Sequence, residues 1–244
     1  MKQKRWQIVH EDEAIIVVDK PAPYLTIPDR YDKTKPNLVG ILSERREDVF
    51  INHRLDKETS GLIVFTKTAE AHKSLSDQFM EREVDKHYLT LVNRTPQEEI
   101  GLIDLAIAPS GIRNKGMILD AEGKEALTKY RVLESWNRYS LLEVKLLTGR
   151  QHQIRVHMRA IRCPILCDTM YGDGKPFMLS DIKRRINRDR EKEERPLLSR
   201  VALHSSLLGF THPTSGEKVQ FESVLPKDMK AVAHQLRKAK SISS

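Results

Sequence analysis

The segment HRLDKETSG, residues 53 to 61, sets Asp56 between Arg54 and Lys57, directly ahead of the apolar run Leu62 to Phe65. If those cations face the carboxyl group, its pKa falls and it stays ionised. Such a carboxylate suits a nucleophile or a general base and suits a general acid poorly. An aspartate in a loop can equally be a turn residue satisfied by an ion pair or by backbone amides, and Thr59, Ser60 and Gly61 allow the same plain reading. Residue types and spacing leave both open.

A second concentration of chemistry is TGRQHQIRVHMRAIR, 148 to 162. Thr148 can cap a helix whose first residues include Arg150, with Arg155, Arg159 and Arg162 spaced to form one cationic stripe. Ile154, Met158 and Ile161 repeat that spacing on another face, expected to meet the core. A helix N-terminus that carries an arginine can receive a phosphate or a carboxylate from another segment. A surface helix bearing three arginines is the plain alternative. His152 and His157 are five apart, which is wrong for two ligands on one helical face, and Cys163 and Cys167 lack a second pair. No metal site is expected. Neither GxGxxG nor GxxxxGK[ST] occurs, so no dinucleotide or nucleoside triphosphate is signalled.

The elements that must position these residues follow from periodicity. AIIVVDKP, 14 to 21, reads as a buried strand ended by proline, and NLVGILSERRED as a helix with Leu38, Ile41 and Leu42 inward. Strands are predicted at 49–51, 61–67 and 86–92, and a helix over 68–82 with Ala71, Leu75 and Phe79 on its apolar face. Strand-like runs separated by turns fill 100–147, the period turns helical over 150–161, and 201–223 reads as a hairpin around Thr214-Ser215-Gly216. Strands outnumber helices and long crossovers are rare. The fold class is therefore α+β, with a mixed, mostly antiparallel sheet and flanking helices. With no internal repeat and no Gly/Ser linker, a single domain over 1–244 with a basic polar tail from about 227 is expected.

The chain has 244 residues, 39% hydrophobic and 31% charged, which excludes a disordered chain and a membrane-embedded one. No apolar run reaches bilayer length and the start lacks a secretory signal, so cytoplasmic residence is expected. A net charge of +8 suggests a polyanionic partner. The basic residues gather at Lys2, Lys4 and Arg5, in 182–195, and at Lys227, Lys230, Arg237, Lys238 and Lys240. Acidic residues interleave in the middle group, which reads first as a solvated helix; Lys183, Arg184, Arg185 and Arg188 read second as phosphate contacts.

HRLDKETSGLIVFTK, DKHYLTLV, TGRQHQIRVHM and RVALHSSLLGFTHP, in this order, closely resemble the RluA-type family of RNA pseudouridine synthases. The resemblance runs from VVDKP to the final hairpin. It implies an enzyme that isomerises uridine in RNA to pseudouridine, needing no cofactor and no metal, on a mixed sheet with flanking helices. Residue by residue it assigns Asp56 as the catalytic carboxylate, Tyr88 as the ring against the target base and Arg150 as the partner of the aspartate. Arg54 matches an arginine that fills the space left by the extruded nucleotide. His53, Lys86, Gln153, Arg155 and His157 are expected beside it as RNA contacts. The implied partner is a structured ribosomal or transfer RNA stem-loop, bound by a monomer away from any membrane. Many members carry an extra N-terminal RNA-binding domain; none is expected within this sequence. Pro23 and Cys167 stand where the family usually has glycine, and Gln151 where it usually has threonine. A noncatalytic RNA-binding domain would lack one of Asp56, Tyr88 or Arg150. A hydrolase using Asp56 with Glu58 would need a loop that brings alternate residues to one side.

Overall fold

A computed structural model gives the fold, and residues 6–44, 48–112, 116–182 and 194–242 are described. In chain order the elements are β1 (Gln7–Glu11), β2 (Ile15–Lys20), α1 (Leu38–Ser43), β3 (Phe50–Ile51), β4 (Ser60–Thr66), α2 (Ala69–Met80) and β5 (Asp85–Asn93). There follow β6 (Ile100–Asp104), β7 (Ile107–Pro109), β8 (Met117–Leu119), β9 (Leu127–Trp136), β10 (Tyr139–Leu146), α3 (Gln153–Ala160), β11 (Leu203–Thr211), β12 (Lys218–Glu222) and α4 (Lys227–Ile242). The expected α+β class and mixed, mostly antiparallel sheet are what the structure shows. The chain, expected as one domain, gathers into two compact units, Met1–Tyr88 with His204–Val224 and Leu89–Leu203 with Leu225–Ser244.

In the first unit the strand order is β1-β2-β4-β11, with β3 on β4 and β12 on β11. Ile15 to Val18 and every residue of β4 are buried, as continuous apolar runs covered on both faces should be. β2 and β4 run antiparallel from Ile15 opposite Thr66 to Lys20 opposite Gly61. β11 lies parallel to β4, His204 opposite Ser60 and Ser205 opposite Gly61, and that pairing makes the sheet mixed. Helix α2 starts where the Thr68 hydroxyl accepts the Ala71 amide at 3.2 Å, and it buries Ala71 and Leu75 against Ile15, Val17, Leu62, Val64, Leu208 and Phe210.

In the second unit β10 stands between β5 and β9, and β6 flanks β9; β7 and β8 form a separate hairpin. Two expectations need correction here. Helix α3 begins at Gln153, not at Arg150, because His152 takes a left-handed backbone (φ 55°). Thr148, buried, caps no helix; its hydroxyl donates to Gln153 Oε1 at 2.8 Å and accepts the Leu127 amide at 2.9 Å. The stretch expected as a polar tail is instead helix α4, whose Met229, Val232, Ala233 and Leu236 are buried. Arg237 forks onto Glu134 of β9. The N-terminal basic residues Lys2, Lys4 and Arg5 and the cluster Lys183, Arg184, Arg185 and Arg188 lie outside the described residues. Among the described residues no helix is long and apolar enough to cross a membrane.

Candidate active site

The loop carrying Asp56 is tethered on both sides of that residue. Upstream, Asn52 Nδ2 donates to the His72 carbonyl and to Ser76 Oγ, both at 3.0 Å, while the Thr66 hydroxyl donates to Asn52 Oδ1. The hydroxyl of buried Thr26 donates to the Leu55 carbonyl at 2.9 Å and accepts the Leu55 amide at 3.2 Å. Downstream, the Lys57 carbonyl accepts from the Tyr24 amide and from Lys20 Nζ, both at 3.2 Å. Lys20 is fully buried and also donates to the Tyr24 carbonyl at 2.8 Å. Its ammonium, at the end of an apolar strand and ahead of Pro21, knots two loops through main-chain oxygens. The Thr59 amide closes a turn on the Asp56 carbonyl at 3.1 Å. Asp56 itself is only half-buried. These tethers fix the backbone on either side of Asp56.

Tyr88 of β5 belongs to the same unit and is 6% exposed. Burial pushes its phenol above the ordinary value of 10, the nearby Asp56 charge pushes the same way, and a hydrogen bond with Ser205 opposes them. The phenol stays neutral, and Asp56 and Tyr88 lie in the same unit. The Ser205 backbone in turn packs so close on Gly61 (φ 108°) that no side chain fits there. Ser205, Lys20 and Thr26 escaped the sequence reading; only Lys20 carried a signal, as a lone charge closing an apolar strand.

Other residues of the motif divide by exposure. Arg54 is exposed, and Lys57 lies 4.0 Å from Glu58. His53, expected to touch RNA, accepts the Val64 amide on Nε2 at 3.2 Å and stacks on Phe79 with centroids 4.7 Å apart. Burial, helped by the charge of Lys86, lowers its pKa to about 3, so it is neutral at physiological pH. Lys86 is buried, with Nζ over the Phe79 ring at 5.4 Å, and burial lowers its pKa. Both side chains pack on Phe79.

Three further expected RNA contacts, in the second unit, are also interior. Gln153 takes the Thr148 hydroxyl and the Arg150 amide on Oε1 and donates to Leu127 and Thr128. His157, 0% exposed, bridges Thr128 Oγ1 and the Leu105 carbonyl, both at 2.9 Å. Arg155 forks onto Asp168 at 2.7 and 2.8 Å, over the ring of Tyr171. Polar atoms of each bind protein groups. The stripe keeps Arg159 and Arg162, both exposed. Arg150 is half-buried, and its Nε donates to the Glu125 carbonyl at 3.0 Å.

The RNA pseudouridylate synthase family matches residues 14–160, a span that holds Asp56, Tyr88 and Arg150. The ribosomal large subunit pseudouridine synthase D of Zymomonas mobilis is 36% identical over 241 residues, covering 91% of this chain and 70% of that protein. The chain belongs to the RluA-type RNA pseudouridine synthases. An uncharacterised RNA pseudouridine synthase of Aquifex aeolicus is 39% identical over 240 residues, 92% of this chain and 71% of that one. In fold the synthase matches the human protein RNA pseudouridylate synthase domain containing 4, with a TM-score of 0.74 over 94% of this chain and 92% of that chain at 23% identity. The synthase is thus an isomerase whose substrate is RNA.

Proposed function

We propose that the synthase turns a uridine of ribosomal RNA out of its stack and isomerises it with Asp56 as catalytic carboxylate, Tyr88 as the surface under the base and Arg150 as the partner of the carboxylate. The observation that carries this reading is the half-buried Asp56 on a loop tethered at Leu55 and at Lys57, in the same unit as Tyr88. A base inside a duplex hides its glycosidic carbon, so chemistry there requires extrusion. Stacking on a ring contributes about 1–3 kcal/mol, which offsets part of the unstacking cost. The reaction breaks the bond from the anomeric carbon to N1, turns the uracil, and joins the same carbon to C5. The C5 proton leaves and N1 gains one, so composition is unchanged.

A carboxylate beside the ribose can add to the anomeric carbon, add to the pyrimidine, or take a proton from the adjacent sugar carbon. Each route needs an oxygen anion near the sugar edge of the base, and Asp56 is the residue that the family motif supplies for it. A bidentate arginine suits a carboxylate in such a place better than lysine does. Arg54, Arg159 and Arg162 are exposed and, among the described residues, have no carboxylate within ion-pair distance, which suits them to phosphates. Ribosomal RNA is the substrate we infer because a relative covering 91% of the chain is named for the large ribosomal subunit. The enzyme works as a cytoplasmic monomer without cofactor in this account.

Mapping pseudouridine in total RNA from cells with and without the gene tests it. The expected loss is at one or a few positions of ribosomal RNA. Loss confined to transfer RNA overturns the substrate, and no loss in any RNA overturns the activity in cells.

A further inference from the structure

A partly buried chain of hydrogen bonds ends on the residue that opens β4. Ser60 Oγ lies 2.9 Å from Nδ1 of His204, and Nε2 of that ring lies 3.1 Å from Ser223 Oγ. Ser223 donates to Asp19 Oδ2 at 2.5 Å. The four residues come from β2, β4, β11 and the segment after β12. The polarity is set at the carboxylate end, which only accepts. The single hydroxyl proton of Ser223 goes to Asp19, so Ser223 accepts from Nε2–H; in the neutral ring Nδ1 then accepts from Ser60. A serine, a histidine and an aspartate suggest a hydrolytic triad, but Ser60 and His204 are 4% and 1% exposed. No substrate carbonyl reaches a nucleophile there.

The chain leads toward the catalytic loop. Ser60 follows Thr59, whose amide closes the turn on Asp56, and precedes Gly61, which packs on Ser205, the hydroxyl partner of Tyr88. Filling the buried end of this place with apolar side chains would avoid desolvating Ser60 and His204, so stability alone does not account for the network. We propose that His204, held in its Nε2–H tautomer by Ser223 and Asp19, is a positioning residue: through the Ser60 hydroxyl it fixes the start of β4 and thereby the aim of Asp56. This rests on Asp56 being the catalytic carboxylate.

Two substitutions separate the two ring nitrogens. In His204→Asn the side-chain oxygen replaces the Nδ1 acceptor and the Nε2 donor is lost; in His204→Gln the amide replaces the Nε2 donor and the Nδ1 acceptor is lost. Turnover is read as tritium released from C5-labelled RNA, beside KM and the melting temperature. His204→Gln and Ser60→Ala are expected to lower kcat about tenfold or more with KM within about twofold, whereas His204→Asn keeps most of its kcat. Unchanged kcat per folded molecule in His204→Gln and Ser60→Ala, with only a lower melting temperature, overturns the proposal. Should these variants not fold, Ser223→Ala at the half-buried end of the chain decides: a kcat lowered roughly threefold or more at constant KM supports it, and an unchanged kcat overturns it. Asp56→Asn runs in parallel. If that variant turns over normally, the catalytic assignment fails; if it is inactive while the His204, Ser60 and Ser223 variants match the parent, the positioning role fails.

Discussion

At Gly61 a methyl group would stand 2.1 Å from the Ser205 carbonyl oxygen, on a backbone (φ 108°) that side chains rarely adopt. Gly61→Ala must therefore push β4 from β11 or abandon that conformation, at a cost of about 2–4 kcal/mol. Urea unfolding measures it, and a variant as stable as the parent contradicts the parallel pairing of Ser60 and Gly61 with His204 and Ser205. The glycine of HRLDKETSG was visible in the sequence only as a turn residue, since the strand it abuts lies 144 positions away. Asp56 and Tyr88 stand out in the sequence because their motifs carry the family resemblance. Nothing local announces that His53 and Lys86 both pack on Phe79. An imidazole accepting an amide and an ammonium over a ring look, in sequence, like any other basic pair beside a catalytic residue.

Helix α3 shows the same limit one level up. Its period was plain, and Ile154 and Met158 are buried as expected. The cationic stripe was half right, because Arg155 turns inward to Asp168, a partner 13 residues on that periodicity cannot identify. Asp168 is fully buried and also accepts the amides of Met170 and Tyr171, so it fixes the segment after the helix. Asp168→Ala strands a buried guanidinium and should cost about 3–5 kcal/mol, while the double change Arg155→Met with Asp168→Leu should recover most of it. Denaturant titration of the single and double variants checks this; equal losses in both would mean that the bonds to the Met170 and Tyr171 amides, not the ion pair, hold the segment. Cys167 sits just before it with φ 60°. Helix α4 was hidden by dilution: Met229, Val232, Ala233 and Leu236 keep helical spacing, but lysines and arginines dominate the composition around them. Strand β1 was overlooked because five residues with a half-exposed pattern give no strong period.

For the whole molecule, charge sets how stability and RNA binding respond to solution. Burial alone would raise the Asp12 carboxyl, but hydrogen bonds from His10, the Ile15 and Ala14 amides and His212 outweigh it and hold it below its ordinary 3.8. For Asp168, burial is likewise outweighed, by Arg155 and the amides of Tyr171 and Met170. Both pKa values are lower folded than unfolded, so their stabilisation is complete above pH 3.8 and is lost as pH falls below it toward the folded values. Asp12→Asn should flatten the acid limb of the stability curve; an unaltered acid limb contradicts the hydrogen bonds assigned to Asp12. RNA affinity should fall with salt, and Arg162→Glu should lower the slope of log K against log salt by roughly 0.7–0.9 for each phosphate it no longer neutralises. Filter binding across salt concentrations reads that slope, and an unchanged one removes Arg162 from the interface. Among these measurements, release of tritium from C5 of uridine in ribosomal RNA by Asp56→Asn bears most directly on the catalytic assignment. The account predicts release reduced by at least about a thousandfold with RNA affinity within several-fold of the parent; release at the parental rate would contradict it.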